Sequence, residues 1–337
     1  MPFQILSLSG GGYMGLYTAS VLARLEEQTE KPIAASFDLI AGTSVGGIIA
    51  LGLSAGRTAV EIERAFVEDG DKIFPSSRPV TGWLRSWTRI VQGMPRSRYD
   101  PAPLRAIVDR LMQATPKMSD LKIPVLVTAV NLTKGKPRVF KTGHHPNYML
   151  DWRLDVADVA LATSAAPTYF PIHKIESELF ADGGMYANSP DLIALHEAEH
   201  FLGRSRPEIR VLSIGTTTAA FALNAGMDRD LGSLGWMQDQ RLPTVMIGSQ
   251  QAMTDAMMRH LLGDGYIRID HEQSPEQRKE LALDCASPCA KENLQAAAAS
   301  SAMESLRLSA LGDMLRHRAP PFEFVNASLS KRGAALA

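Results

Sequence analysis

The sequence predicts an α/β fold in three layers, α/β/α, with a mainly parallel central sheet and a mainly helical C-terminal region. Three observations carry this. Short apolar runs at Phe3–Leu8, Phe37–Ala41 and Ile209–Gly215 read as buried strands. Glycine-rich turns and then helix-period segments follow the first two runs, and strand–helix–strand–helix with short connections implies a parallel sheet covered on both faces. The chain has 337 residues, 45% of them apolar and 21% charged, enough to build one large core.

The elements follow in order. Phe3–Leu8 runs into glycines and then into a helix over Tyr17–Gln28, with Val21, Leu22 and Leu25 on one face. Phe37–Ala41 is the second strand and Val45–Ala55 a helix that is apolar nearly all round, as a central helix is. The eighteen uncharged residues Leu39–Gly56 approach the length of a membrane span, but five are glycine and two serine. A strand, a sharp turn and a buried helix account for them better. Thr58–Asp69 is a more polar helix.

The stretch 71–100 differs from its surroundings. It carries Lys72, Arg78, Arg85, Arg89, Arg96 and Arg98 with no acidic residue between Asp71 and Asp100, and Trp83 and Trp87 stand four apart. It reads as an amphipathic basic helix in a Pro/Gly-punctuated insert: a lid or membrane-docking helix, a collector of phosphates, or a helix packed on the core with solvated arginines. Beyond it, Pro103–Gln113 and Asp155–Ala162 read as helices, and Val125–Asn131, Pro137–Lys141 and Leu179–Ala181 as strands. Further on, Pro243–Leu262, Pro275–Ala282 and Lys291–Arg316 read as mainly helical, with a strand at Tyr266–Asp270. The whole, 1–337, is read as one domain with a core over about 3–220 and a helical part over about 221–337.

Composition excludes some functions. With 35 basic and 36 acidic residues, net charge −1, the chain is not built to hold DNA or RNA polymers by bulk electrostatics. Two cysteines, Cys285 and Cys289, make no disulfide framework, so a reducing, cytoplasmic setting is expected, with both read as plain buried thiols. Met1–Ser9 lacks the basic segment of a signal peptide. Met246, Met253, Met257 and Met258 on one helix suggest core or a dimer face. His196 and His200, four apart, have no third partner at metal-ligand spacing and read as an exposed helical face.

Three motifs carry chemistry. Gly10-Gly11-Gly12-Tyr13-Met14-Gly15 fits G-x-G-x-x-G after a strand, so a dinucleotide site is one reading; the acidic residue that should end the second strand is absent there. Either way, glycines expose backbone N–H groups at a helix N-terminus, which suits an anion. Gly42-Thr43-Ser44-Val45-Gly46 fits G-x-S-x-G between a strand and a buried helix, a nucleophile elbow, with an ordinary serine N-cap as the competing reading. Asp182-Gly183-Gly184 ends a strand and is either a base facing the serine or a plain turn.

In this order, and with Ala162-Thr163-Ser164-Ala165-Ala166-Pro167-Thr168-Tyr169-Phe170-Pro171 between the serine and the aspartate, the chain resembles the patatin-like phospholipases over roughly Phe3–Thr217. The resemblance implies a Ser44–Asp182 dyad that needs no histidine and no metal. It implies an oxyanion hole from the N–H groups of Gly10, Gly11 and Gly12, and an elbow that depends on Gly42 and Gly46. Ser9 and Met14 stand where members commonly have aspartate and arginine, which puts the rigidity of the glycine loop in question. The phrases Phe37-Asp38-Leu39-Ile40 and Asp182-Gly183-Gly184-Met185-Tyr186-Ala187-Asn188-Ser189-Pro190 resemble the bacterial patatin-like effectors of cyclic-oligonucleotide anti-phage signalling. That implies a phospholipid substrate at the inner membrane surface, a cyclic di- or trinucleotide activator from a partner synthase and a homodimer. Trp83, Arg85, Trp87 and Arg89 would then be lid, activator or membrane contacts. The alternative is a constitutive patatin-type lipase without nucleotide control.

Overall fold

A computed structural model describes residues 2–29, 31–74, 97–112, 115–148, 150–217, 230, 232–237, 241–274 and 276–325. Its strands are β1 Phe3–Leu8, β2 Leu39–Thr43, β3 Val125–Asn131, β4 Lys136–Lys141, β5 His173–Ile175, β6 Glu178–Asp182, β7 Ile209–Ile214 and β8 Tyr266–Ile269. All belong to one sheet. Parallel pairings join β3, β2, β1, β7 and β8 in that order, and β4, β5 and β6 add antiparallel strands on the β3 side. The mainly parallel centre is as the sequence predicts. Strand β5 has no counterpart in that reading, because three residues at the sheet edge make no apolar run.

Alternation along the parallel strands feeds two cores. Ile5, Leu39, Ala41, Ile209 and Val211 enter one, while Leu6, Leu8, Ile40, Leu212 and Ile214 enter the other. This is why the strands read as nearly continuous apolar runs. The larger core is covered by α1 Gly15–Glu27, α2 Val45–Ser54, α3 Ala59–Ile73, α4 Ala102–Leu111 and α5 Val156–Thr163. After the short α6 Gly184–Ala187, the smaller core is covered by α7 Asp191–His196, which runs on into a π-helical turn Glu197–Phe201. Then come α8 Gly232–Met237, α9 Arg241–Leu262, α10 Gln277–Glu280, α11 Pro288–Ser305 and α12 Ser309–Arg316.

Every residue of α2 is buried. Its ten residues span about 15 Å, half of a bilayer core, and each large aliphatic side chain stabilises the fold by about 1.5–3 kcal/mol on burial. No helix among the described residues is long and apolar enough to cross a membrane.

Two expectations need correction. The second strand starts at Leu39 rather than Phe37, because Ile33–Ser36 forms a 3-10 turn and Asp38 closes onto Gln4: Gln4 N–H donates to Asp38 Oδ2 at 2.8 Å and Asp38 N–H to Gln4 O at 2.8 Å. The helix expected over Pro275–Ala282 is the single turn Gln277–Glu280, since the chain turns away at Leu281 and lays Leu283 O on Tyr13 N–H at 2.8 Å. The stretch read as mainly helical over Lys291–Arg316 is so, but as two helices with a break between Ser305 and Ser309, where Leu308 N–H turns back to Ser305 O. Of the insert, Lys72 closes α3 and Arg98 is described with the site below, while Arg78, Trp83, Arg85, Trp87, Arg89 and Arg96 lie outside the described residues.

Strand β3 positions the site. Along Leu126–Asn131 one of its edges is taken by β4. Its partners β2 and β6 must therefore share the other edge, β2 along Val125–Thr128 and β6 along Ala129–Asn131. They meet end to end. Thr43 pairs with Thr128 and Asp182 pairs with Ala129, so adjacent residues of one strand hold the residue before Ser44 and the carboxylate itself.

Candidate active site

The β2–α2 turn is an elbow. Ser44 has φ 54° and ψ −126°, a conformation that costs a non-glycine residue about 1–3 kcal/mol. The surroundings enforce it. A Cβ on Gly42 would lie 2.2 Å from Gly46 O, and one on Gly46 2.3 Å from Leu8 O. Both positions therefore admit only glycine. Ser44 N–H donates to Thr163 Oγ1 at 2.8 Å. The side chain of Ser44 makes no cap hydrogen bond to α2, so the N-cap reading fails. Its hydroxyl donates instead to Asp182 Oδ2 at 2.6 Å.

Asp182 is buried and accepts at both oxygens, Oδ1 taking Gly184 N–H at 2.7 Å. Its own N–H is anchored on Ala165 O at 3.0 Å. Burial pushes the carboxyl up from 3.8 to about 6, and the hydrogen bonds from Ser44 and Gly184 hold it from rising further. A carboxylate in this state accepts a proton from a hydroxyl far more readily than an exposed aspartate does. Among the described residues no histidine lines the cavity in front of the pair.

The glycine loop needs one correction. Gly10 N–H donates to Asn188 O at 3.0 Å, so it is not a free donor. Gly10 O in turn accepts from Thr216 Oγ1 at 2.9 Å and Asn188 Nδ2 at 3.2 Å. Among the described residues no acceptor takes the N–H of Gly11 or Gly12. Gly12 sits at φ 57°, with Leu283 O 2.2 Å from where a Cβ would be. At Gly11 the same test meets Thr216 Oγ1 at 2.2 Å. Met14 Sδ, in place of a cation, accepts from Thr217 Oγ1 at 3.4 Å and Gln273 Nε2 at 3.3 Å.

Ser44, Asp182 and Gly10–Gly12 open onto a cavity of about 750 Å³ whose other walls are mainly apolar, among them Ile48, Phe66, Phe74, Leu104, Val108 and Met246. That size suits an extended apolar ligand portion. Arg98 stands at its wall, paired to Asp284 at 2.6 Å. The methionine helix divides: Met258 is buried, while Met246, Met253 and Met257 are exposed. His196 and His200 are exposed and stacked, as expected. Cys285 is half-buried, but Cys289 is exposed and hydrogen-bonded to Glu280, not a buried thiol. Sequence reasoning missed Thr163, Asn188, Thr216 and Arg268. The first two lie inside phrases already singled out, Thr216 closes the stretch Leu212-Ser213-Ile214-Gly215-Thr216 that also carries the family resemblance, and Arg268 carries no local signal.

The profile of the family described as patatin-like phospholipase matches residues 6–195. A "cGAMP-activated phospholipase" of Pseudomonas aeruginosa is 43% identical over 284 residues, covering 84% of this chain and 82% of that protein. Proteins of the same name are similar too. The one from Vibrio cholerae is 35% identical over 95% of this chain and 96% of its own length. The one from Escherichia coli is 35% identical over 87% and 86%.

Proposed function

This chain belongs to the patatin-like phospholipase family, and on that premise we propose that it hydrolyses acyl esters of membrane phospholipids with a Ser44–Asp182 dyad, under the control of a cyclic nucleotide. The observation that carries the reaction is the 2.6 Å hydrogen bond from Ser44 Oγ to Asp182 Oδ2 at the wall of an apolar cavity.

The steps follow from that geometry. Asp182 takes the hydroxyl proton as Ser44 Oγ attacks the ester carbonyl carbon. The carbonyl oxygen gains the negative charge and meets the N–H groups of Gly11 and Gly12, each donor contributing about 3 kcal/mol at the transition state. The tetrahedral intermediate collapses. The leaving lysophospholipid oxygen takes the proton from Asp182, and the acyl group stays on Ser44. A water then loses a proton to Asp182, attacks the acyl carbonyl, and the proton returns to Ser44 Oγ as the fatty acid leaves. The helix N-terminus at Ser44 and the neighbouring N–H groups keep the site favourable to negative charge throughout.

The nucleotide control is supported by the relatives, which bear the name cGAMP-activated phospholipase along most of this chain's length. We read the chain as an effector of cyclic-nucleotide anti-phage signalling, acting on the inner membrane surface from the cytoplasm as a homodimer, with a partner synthase supplying the activator.

The test is hydrolysis of phospholipid vesicles by purified protein with and without cGAMP and other cyclic di- and trinucleotides, beside Ser44→Ala and Asp182→Asn. Release of fatty acid only with a nucleotide, absent in both variants, is expected. Release without any nucleotide would leave a constitutive lipase. No release, with no fluorophosphonate label on Ser44, would refute the hydrolase reading.

A further inference from the structure

Beneath the glycine loop lies a buried cation that the dyad chemistry does not use. Strands β1, β7 and β8 bring Ser7, Ser213 and Arg268 into one cross-strand row, Ser7 opposite Ser213 and Ser213 opposite Arg268. The guanidinium of Arg268 is buried among serines. Its Nη1 donates to Ser213 Oγ at 2.8 Å, Ser189 Oγ at 3.0 Å and Ser9 Oγ at 3.1 Å, and its Nη2 to Asp270 Oδ2 at 2.6 Å. Ser9 Oγ and Ser189 Oγ are also 3.1 Å apart.

Each contact leads to the segment that frames Gly10. Ser9 precedes Gly10 and donates its N–H to Ile214 O at 3.0 Å. Ser189 follows Asn188, which holds both the N–H and the carbonyl of Gly10. Asp270 accepts Thr217 N–H at 3.1 Å, and the adjacent Thr216 bonds Gly10 O. One side chain therefore touches, directly or through one residue, all three walls of the loop that presents Gly11 and Gly12.

The carboxylates around Arg268 are Asp270 and Asp191, and the exposed Arg259 beyond them is itself paired to Asp255 at 2.9 Å. Asp191 accepts from Ser7, from Ser213 at 2.9 Å and from Tyr266 at 2.8 Å. With two carboxylates facing one guanidinium, the cluster has no surplus positive field to lend an oxyanion. Its contribution is geometric. A planar fork with fixed donors fits several hydroxyls at once, which an ammonium on a flexible stem does not.

We propose that Arg268 is a positioning residue for acyl transfer: it clamps Ser9 to Ser189 and, through Asp270, to Thr217, and so holds the N–H groups of Gly11 and Gly12 where the oxyanion forms. It fills from β8 the role that Met14 cannot fill from within the loop. This rests on the hydrolase reading above.

The test measures phosphonylation of Ser44 by a fluorophosphonate probe, with its maximal rate separated from probe affinity, together with kcat and KM on a soluble short-chain ester and the melting temperature. Arg268→Lys keeps a cation beside Asp270 and loses the fork. The double variant Ser9→Ala, Ser189→Ala keeps the arginine and removes the seam without stranding a charge, so it decides the matter should Arg268→Lys not fold. Tyr266→Phe removes one hydrogen bond to Asp191 from the next cross-strand row, opposite Val211, and leaves the loop alone. Expected is a fall of tenfold or more in phosphonylation rate and kcat for the first two, with KM and probe affinity within about twofold, and wild-type rates for Tyr266→Phe. Wild-type rates in the double variant would overturn the proposal, as would an equal loss in Tyr266→Phe, which would make the buried cluster around Asp191 and Arg268 a structural one only. An unlabelled wild type would instead refute the dyad beneath it.

Discussion

Replacing Asp182 by asparagine separates what the carboxylate does for the reaction from what it does to the fold. The shapes match. The asparagine oxygen can still accept Gly184 N–H, and its amide faces Ser44 Oγ. Only the charge and the basicity go. As general base, the carboxylate is expected to contribute about 10²–10⁴-fold, so acyl hydrolysis should fall by at least 10²-fold. Stability should move the other way. Raising a carboxyl from 3.8 to about 6, at roughly 1.4 kcal/mol for each tenfold change, means the folded state holds the ionised group at a cost of about 3 kcal/mol near neutral pH. Asp182→Asn removes that cost, so melting should rise by a few degrees. The sign has a second check. Because the folded group binds its proton more tightly than the unfolded one, wild-type stability rises as pH falls through about 6 towards 4, and the gap to the variant closes there. The assay is thermal melting of both proteins at pH 7.5 and pH 5, beside fatty-acid release. A variant that melts below wild type at pH 7.5, or keeps its activity, would refute the assignment of a desolvated base.

Other outcomes follow from the same geometry. Wild-type kcat/KM on a soluble ester should rise with pH through about 6 to a plateau and be about tenfold lower at pH 5; an inflection near 4 would mean the base is solvated. Gly11→Ala, whose methyl would lie 2.2 Å from Thr216 Oγ1, should displace the loop and lower kcat by about 10²–10³-fold, read by fluorophosphonate labelling. Glu197 is buried and takes hydrogen bonds from Lys141, His144 and Tyr148 at 2.5, 3.0 and 2.5 Å. Glu197→Ala strands the Lys141 ammonium and should cost about 3–5 kcal/mol by urea unfolding.

The elbow was legible because its chemistry is local. Gly42, Ser44 and Gly46 must stand at fixed spacing for one tight turn to exist, and the strand and helix on either side are continuous apolar runs. Asp182 was legible for a similar reason, at the end of a strand and before two glycines. What could not be read is what depends on pairing between distant strands. Nothing in the residues around Arg268 says that Ser9 will lie beside it, because 259 positions separate them and only the order β1–β7–β8 joins them. The fate of Gly10 N–H was hidden likewise: the loop looks like three equivalent donors until Asn188 arrives from another segment. The exposed face of the methionine helix and the breaks near Leu281 and Leu308 are tertiary outcomes that override a favourable local helix pattern.

The end-to-end meeting of β2 and β6 on one edge of β3 also bears on how the protein is made. The nucleophile and its base are 138 positions apart in sequence, and β3, between them, pairs with the strands that carry both. Closing that loop carries an entropic cost that grows slowly with its length. A nascent chain that ends before residue 182 holds a serine without this proton acceptor. For a catalyst whose substrate is lipid, the reactive pair exists only once the sheet joins β2 and β6 along β3.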